Sequence, residues 1–375
     1  MSHSHAAPRA GRTRPPLRGA SRPPAPATPR PAPPVPPVEH RPIEDPEGAG
    51  AFAGWRLVWL VVTALALLVL GLDRWGSALP WQIPSLARDG AVVTVATAYA
   101  LGLGVRTGDR PVLMAALVGV GTAAGLWSGV GWIIAGVAVA LTVVSSVFAV
   151  LVTRPAVGMP RVVGEVLIAT LVASGGALAI GALDPSMTRN RYSYLALAFA
   201  LIWIIALVNG LGAGLHGLGK RGVAMILVGT LMLGVALAYG EAIQRWGSPG
   251  LVLSIETMRT QAREALGAVP HPLAALLGIP ALVWGVFMRA RRRQGWWACA
   301  FGVAATVATS AMFVSDLSLT RQLLSLLYTL VVGLLLGFLV VRGDLFFTGS
   351  RGARARRDEE QSAARPEPGR TASLR

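Results

Sequence analysis

The chain has one cysteine, Cys299, and one lysine, Lys220, in 375 residues. A lone thiol excludes an intrachain disulfide and a cysteine-built metal cluster. Charge is scarce as well: Asp, Glu, Lys and Arg make up 14% of the sequence and hydrophobic residues 53%, where a soluble domain carries about 25% charged residues. A water-soluble globular protein is therefore excluded, and mean hydropathy of +0.57 points to a membrane protein. No H-E-x-x-H, dinucleotide fingerprint or paired metal-ligand cluster occurs, so neither a metal nor a cofactor is expected. His3 and His5 lie in the N-terminal tail and make no ligand set. The run "GLHGLGKR", 214–221, approaches a phosphate-binding loop. It fails because Arg221 replaces the hydroxyl that would hold magnesium and a hydrophobic helix precedes it instead of a strand. Ser174 and His216, a conceivable nucleophile and base, are separated by about 20 Å of depth at 1.5 Å rise per residue.

What the sequence does have is arginine, proline and long apolar runs. The net charge of +16 would suit nucleic acid in a soluble protein, but in a hydropathic chain it belongs to loops and tails, and no nucleic-acid partner is expected. Residues 1–54, with "RPPAPATPRPAPPVPP", contain too few aliphatic clusters to offset the entropy of ordering and read as a disordered or polyproline cytoplasmic tail. Arg30, Pro33 and Pro36 fit an R-x-x-P-x-x-P ligand pattern, which offers a docking point for a cytoplasmic partner. The first apolar run lies too far into the chain for a cleaved signal peptide and is expected to remain as an anchor.

A helix crosses a bilayer with about 20 mostly apolar residues. On that rule ten spans are expected, at 55–72, 86–105, 112–127, 130–152, 162–183, 192–215, 223–239, 273–288, 296–314 and 323–341. The third and fourth must be separate, because one helix over 112–152 would be about 60 Å long. Ser128 and Gly129 supply the turn, flanked by Trp127 and Trp132 as interfacial aromatics.

The fold class is thus all-α, a polytopic helix bundle of about ten membrane helices with a basic disordered tail over 342–375. Cytoplasmic loops retain arginine and lysine. Placing the N-tail inside puts Arg106, Arg110, Arg154, Arg161, Lys220, Arg221, the "RARRR" run 289–293 and the C-tail on one side, and with them most of the 34 basic residues. Both termini are therefore expected in the cytoplasm, at the cell membrane of a bacterium.

Arg189 and Arg191 fall outside, with Tyr192 behind them. Guanidinium forks beside tyrosine suit a phosphate or pyrophosphate at headgroup level, and they equally suit anchoring to membrane lipids. The long outer loop, 240–272, should hold an amphipathic helix over 249–267, with Ser248 as cap, Pro249 at the first position and Gly267 after the end. Around it Glu241, Arg245, Arg259, Arg263 and His271 are candidate outer-face ligands or bases. Glu165 is the acid expected within a span, about 6 Å beyond Arg161, able to pair with that arginine or with Asn209 and to act in substrate contact or coupling. Glycine pairs 121/125, 210/214 and 333/337 permit close helix approach.

Ten spans with cytoplasmic ends suit an inverted five-plus-five carrier, in layout like the drug/metabolite transporters. The expected function is a carrier or flippase-like protein for an amphiphilic or anionic, even lipid-linked, substrate. Two alternatives stand beside it. One is an outer-face transferase or polymerase on polyprenyl-linked sugar, whose layout is similar to that of peptidoglycan polymerases and O-antigen ligases. The other is a non-catalytic scaffold of a cell-envelope complex.

Overall fold

The computed structural model describes residues 49–76, 82–211, 219–291, 295–314, 317–348 and 367–374. The chain divides into two units, Met1–Gly50 and Ala51–Arg375. The R-x-x-P-x-x-P pattern, His3 and His5, and most of the "GLHGLGKR" run lie outside the described residues.

Among the described residues there is no strand. The helices are α1 (Ala49–Trp75), α2 (Ser85–Thr107), α3 (Pro111–Ser128), α4 (Gly131–Leu151), α5 (Met159–Ala182), α6 (Arg189–Gly210), α7 (Gly219–Trp246), α8 (Pro249–Leu266), α9 (Ile279–Arg289), α10 (Gly295–Phe301), α11 (Val303–Phe313) and α12 (Leu319–Thr348). Eight helices are long and apolar enough to cross a membrane, with α10 and α11 forming one rod, Gly295–Phe313. The remaining two of the ten expected spans correspond to shorter apolar rods, Leu227–Ile243 and Ala274–Arg289.

Local chemistry explains the breaks. Ala274–Gly278 is a π-helical turn leading into α9. Pro280 has no N–H to give the carbonyl of Leu276, and its ring would press on that carbonyl, so the extra-wide turn relieves the conflict. Between α3 and α4, Gly129 takes a left-handed φ of 61°, and the Ser128 hydroxyl accepts from the N–H of Val130. Trp127 and Trp132 beside this turn are both largely exposed. The Ser248 side chain caps α8 by accepting from Leu251 N–H at 3.3 Å, and Gly267 ends it with φ 77°. No residue of α8 is buried.

The packing has a centre and a periphery. The α10–α11 rod is 100% buried and the α4 window 72%, whereas α1, α3, α6 and α12 are between 17% and 28% buried. Close approach at the centre depends on glycine. A Cβ at Gly285 or Gly278 of the α9 rod would overlap the backbone of Cys299 or Ala305, so the two rods lie backbone against backbone. Gly333 and Gly337 of α12 seat Ile279 and Val283 on the other side of α9.

At one end of the bundle the C-termini of α2, α4 and α9 meet the N-termini of α5 and α10, through contacts of Arg106 with Leu151, Arg289 with Thr153 and Trp296, and Arg154 with Glu165. Residues 367–374 lie against this end. The expectation of a structureless tail from 342 onward is corrected on two points: α12 continues to Thr348, and 367–374 is held by arginines of the bundle.

Candidate functional site

The last carbonyls of a helix have no partner within it and carry the negative end of the helix dipole. At the end of α4 three consecutive carbonyls, of Leu151, Val152 and Thr153, each accept from a different arginine. Arg106 Nε donates to Leu151 O at 2.9 Å, Arg370 Nη1 to Val152 O at 3.0 Å, and Arg289 Nη2 to Thr153 O at 3.0 Å.

Arg106, in the last turn of α2, is 0% exposed, and Arg289, the last residue of α9, is 1% exposed. Burying a guanidinium without oxygen partners costs several kcal/mol, so their remaining donors decide whether this end is tolerable. Arg289 stacks on the Trp296 ring at 3.5 Å and donates through Nη1 to Thr153 Oγ1 at 2.8 Å. The Glu367 carboxylate accepts from its Nη2 at 2.5 Å and from its Nε at 3.4 Å. Arg106 Nη1 donates to the carbonyls of Gly369 at 2.7 Å, Ala372 at 3.1 Å and Pro368 at 3.3 Å. In return the N–H of Leu374 donates to Arg106 O at 2.9 Å.

Glu165 completes the arrangement. Its carboxylate accepts from Arg154 N–H at 2.8 Å and from Arg370 Nη1 and Nη2 at 2.6 and 2.7 Å. The partner expected from the sequence, Arg161, is exposed at the start of α5. A planar fork that reaches both carboxylate oxygens replaces it. Asn209, also considered as a partner of Glu165, is exposed on α6.

Among the described residues, charge in this cluster is unbalanced. Arg154, Arg289 and Arg370 add like charge around Arg106, and Glu367 offsets it. Arg106 Nη2 is buried and has no hydrogen-bond partner among the described residues. An additional oxyanion would satisfy both deficits.

The outer-face candidates do not join this cluster. Arg191 is exposed at the start of α6; Arg189 opens the same helix, and its side chain lies outside the described residues. Tyr192 turns into the core, fully buried, with its hydroxyl on that of Thr142, so it presents no donor to the surface beside Arg191. Glu241 engages Arg245 at 2.7 Å, and Arg259 approaches Glu256 at 3.8 Å. Arg263 is exposed, and His271 N–H donates to Thr329 Oγ1 at 2.8 Å. Separately, an apolar groove of about 780 Å³ runs between α3, α4 and α6, lined among others by Val118, Trp132, Val143, Phe199 and Trp203.

Sequence reasoning missed Arg106 and Arg289 as site residues because it counted them as loop charges. Glu367 and Arg370 carry no local signal, since their partners lie 78 and 205 positions away. Comparison with protein-family models, curated proteins and solved structures finds no match. The architecture is that of a multi-pass helical membrane protein with a buried arginine pair at one end of its bundle.

Proposed function

We propose that the protein is a ten-span carrier of the bacterial cell membrane that moves an anionic, amphiphilic substrate, with both termini cytoplasmic and Arg106 and Arg289 holding the anionic group. The observation that carries this reading is the pair of fully buried guanidinium groups, from two different helices, that bind one carboxylate-bearing segment and still leave Arg106 Nη2 without a partner. Buried guanidinium groups have to be paired, and their planar forks suit the oxygens of a phosphate or carboxylate. The groove between α3, α4 and α6, along the part of α4 away from Thr153, offers apolar walls for a hydrocarbon chain.

Ten spans are favoured by parity. The end of α4 and the end of α9 meet at Thr153 and Arg289, so an even number of crossings separates them. The α7 rod and the Ala274–Arg289 rod then cross together or not at all. The second of these packs lengthwise beside α10–α11 and α12, which favours crossing. The outer-face transferase reading draws less support, because Glu241, one of its candidate bases, is engaged by Arg245.

Lipid analysis of the purified protein tests the proposal. An acidic amphiphile should copurify with the wild type and be lost from Arg106→Gln/Arg289→Gln. Recovery of the same bulk lipids with both proteins would overturn it.

A further inference from the structure

The segment Glu367–Leu374 occupies the donors that a substrate anion would need. Its Glu367 carboxylate takes two donors of Arg289, and its main-chain oxygens take Nη1 of Arg106. We infer that this segment is a tethered competitor, an internal pseudo-ligand that must leave before Arg106 and Arg289 can hold the anionic group of another molecule. The inference rests on the reading of these arginines as an anion-holding centre.

The segment is built to leave. None of its residues is buried, and its grip is mostly polar: the Glu367–Arg289 and Arg370–Glu165 ion pairs plus main-chain hydrogen bonds, with Leu374 alone packed against the core. The Arg370–Glu165 pair is partly exposed, and such a pair contributes little stability and breaks locally without unfolding the core; the Glu367–Arg289 pair is nearly enclosed, so its release calls for an incoming anion in place of the carboxylate. The segment also satisfies the centre incompletely, since Arg106 Nη2 keeps a free donor in a neighbourhood of excess positive charge. A phosphate or phosphate monoester carries up to two negative charges and three or more acceptor oxygens where Glu367 brings one charge and two. It therefore fits the centre better than the segment does. The segment's advantage is attachment: a competitor on the same chain acts at an effective concentration of order millimolar. That chemistry is shared by a lipid headgroup and by free phosphate.

The test uses the full-length protein in detergent micelles and reads hydrogen exchange over 367–374 in every variant, with tryptic cleavage after Arg370 as a second readout on the wild type alone. Arg370→Glu alone should expose the segment. The charge swap Glu165→Arg/Arg370→Glu should restore its protection; failure to restore it, with the protein otherwise folded by inaccessibility of Cys299, would overturn the inference. Binding is measured with inorganic phosphate and with phosphatidic acid bearing a fluorescent acyl chain, on the wild type and on Glu367→Gln/Arg370→Gln. That double variant removes one charge of each sign and so leaves net charge unaltered. It should bind one of the probes at least about tenfold more tightly, the relief expected on removing a competitor at such an effective concentration. Adding that probe to the wild type should expose 367–374. Response to phosphatidic acid alone assigns a headgroup, and response to phosphate as well assigns a free oxyanion; both support the inference. Equal binding to both proteins, with the segment still protected, overturns the competition and leaves the anion centre standing. Binding of neither probe to either protein overturns the anion centre itself, and the inference with it.

Discussion

Glu165 and Arg370, 205 positions apart in the chain, meet in a two-point ion pair with distances of 2.6 and 2.7 Å. The pair ties the start of α5 to the residues beyond α12, while Arg289 ties Glu367 to the end of α9. All three places must therefore face the same side of the membrane.

Topology reporters check this directly. One inserted within 292–294 and one fused after Arg375 should report the same compartment. Opposite compartments would break the contacts described at Arg289 and leave the parity argument without a basis.

Replacing Arg289 by Leu should destabilise the protein by about 3 kcal/mol, since it strands Glu367 and Thr153 and removes the stack on Trp296. Glu367→Gln keeps a hydrogen-bonding shape and should cost only about 1 kcal/mol. Thermal unfolding in detergent ranks the two. An equal effect, or a larger one for Glu367→Gln, would mean that Arg289 is not the anchor of this end.

Cys299 is fully buried and faces the backbone of Gly285, with its Sγ 4.0 Å from Arg289 Nη1. A membrane-permeant maleimide should leave it unlabelled in the native protein and label it on denaturation. Rapid labelling of the native protein would show that the α9–α10 contact opens.

Gly285→Val should be strongly damaging, because the new Cβ meets the backbone of Cys299 and neither rod can retreat from its neighbours. A loss of about 2 to 3 kcal/mol follows from overpacking. Gly121→Val is the control: a Cβ there meets nothing within 4 Å. Similar unfolding of the two variants would contradict the packing described.

The helices were legible because the bilayer imposes a length and an apolar composition on any crossing segment: eight of the ten expected runs fall on helices long and apolar enough to cross, and the other two on shorter apolar helices. The Ser128–Gly129 turn and the Ser248 and Gly267 ends of α8 were legible because caps and left-handed turns depend on a few adjacent residues. The arginine pair was not. A rule that counts positive charge by side treats Arg106 and Arg289 like exposed Arg110 and Arg154, and no periodicity marks which of them turns inward. Tyr192 misled for the same reason: its neighbour Arg191 is exposed at the start of α6, while its own side chain points to Thr142.

The wholly enclosed α10–α11 rod bears on how the protein is made. Its mean hydropathy is 1.4 against 2.6 for α12, and Thr306, Thr309 and Ser310 lie buried along it. A segment that meets its siblings and not hydrocarbon has little reason to partition from the translocon unaided. Biogenesis should then be an ordered matter, in which this rod settles only after α4, α5 and α9 have gathered to receive it.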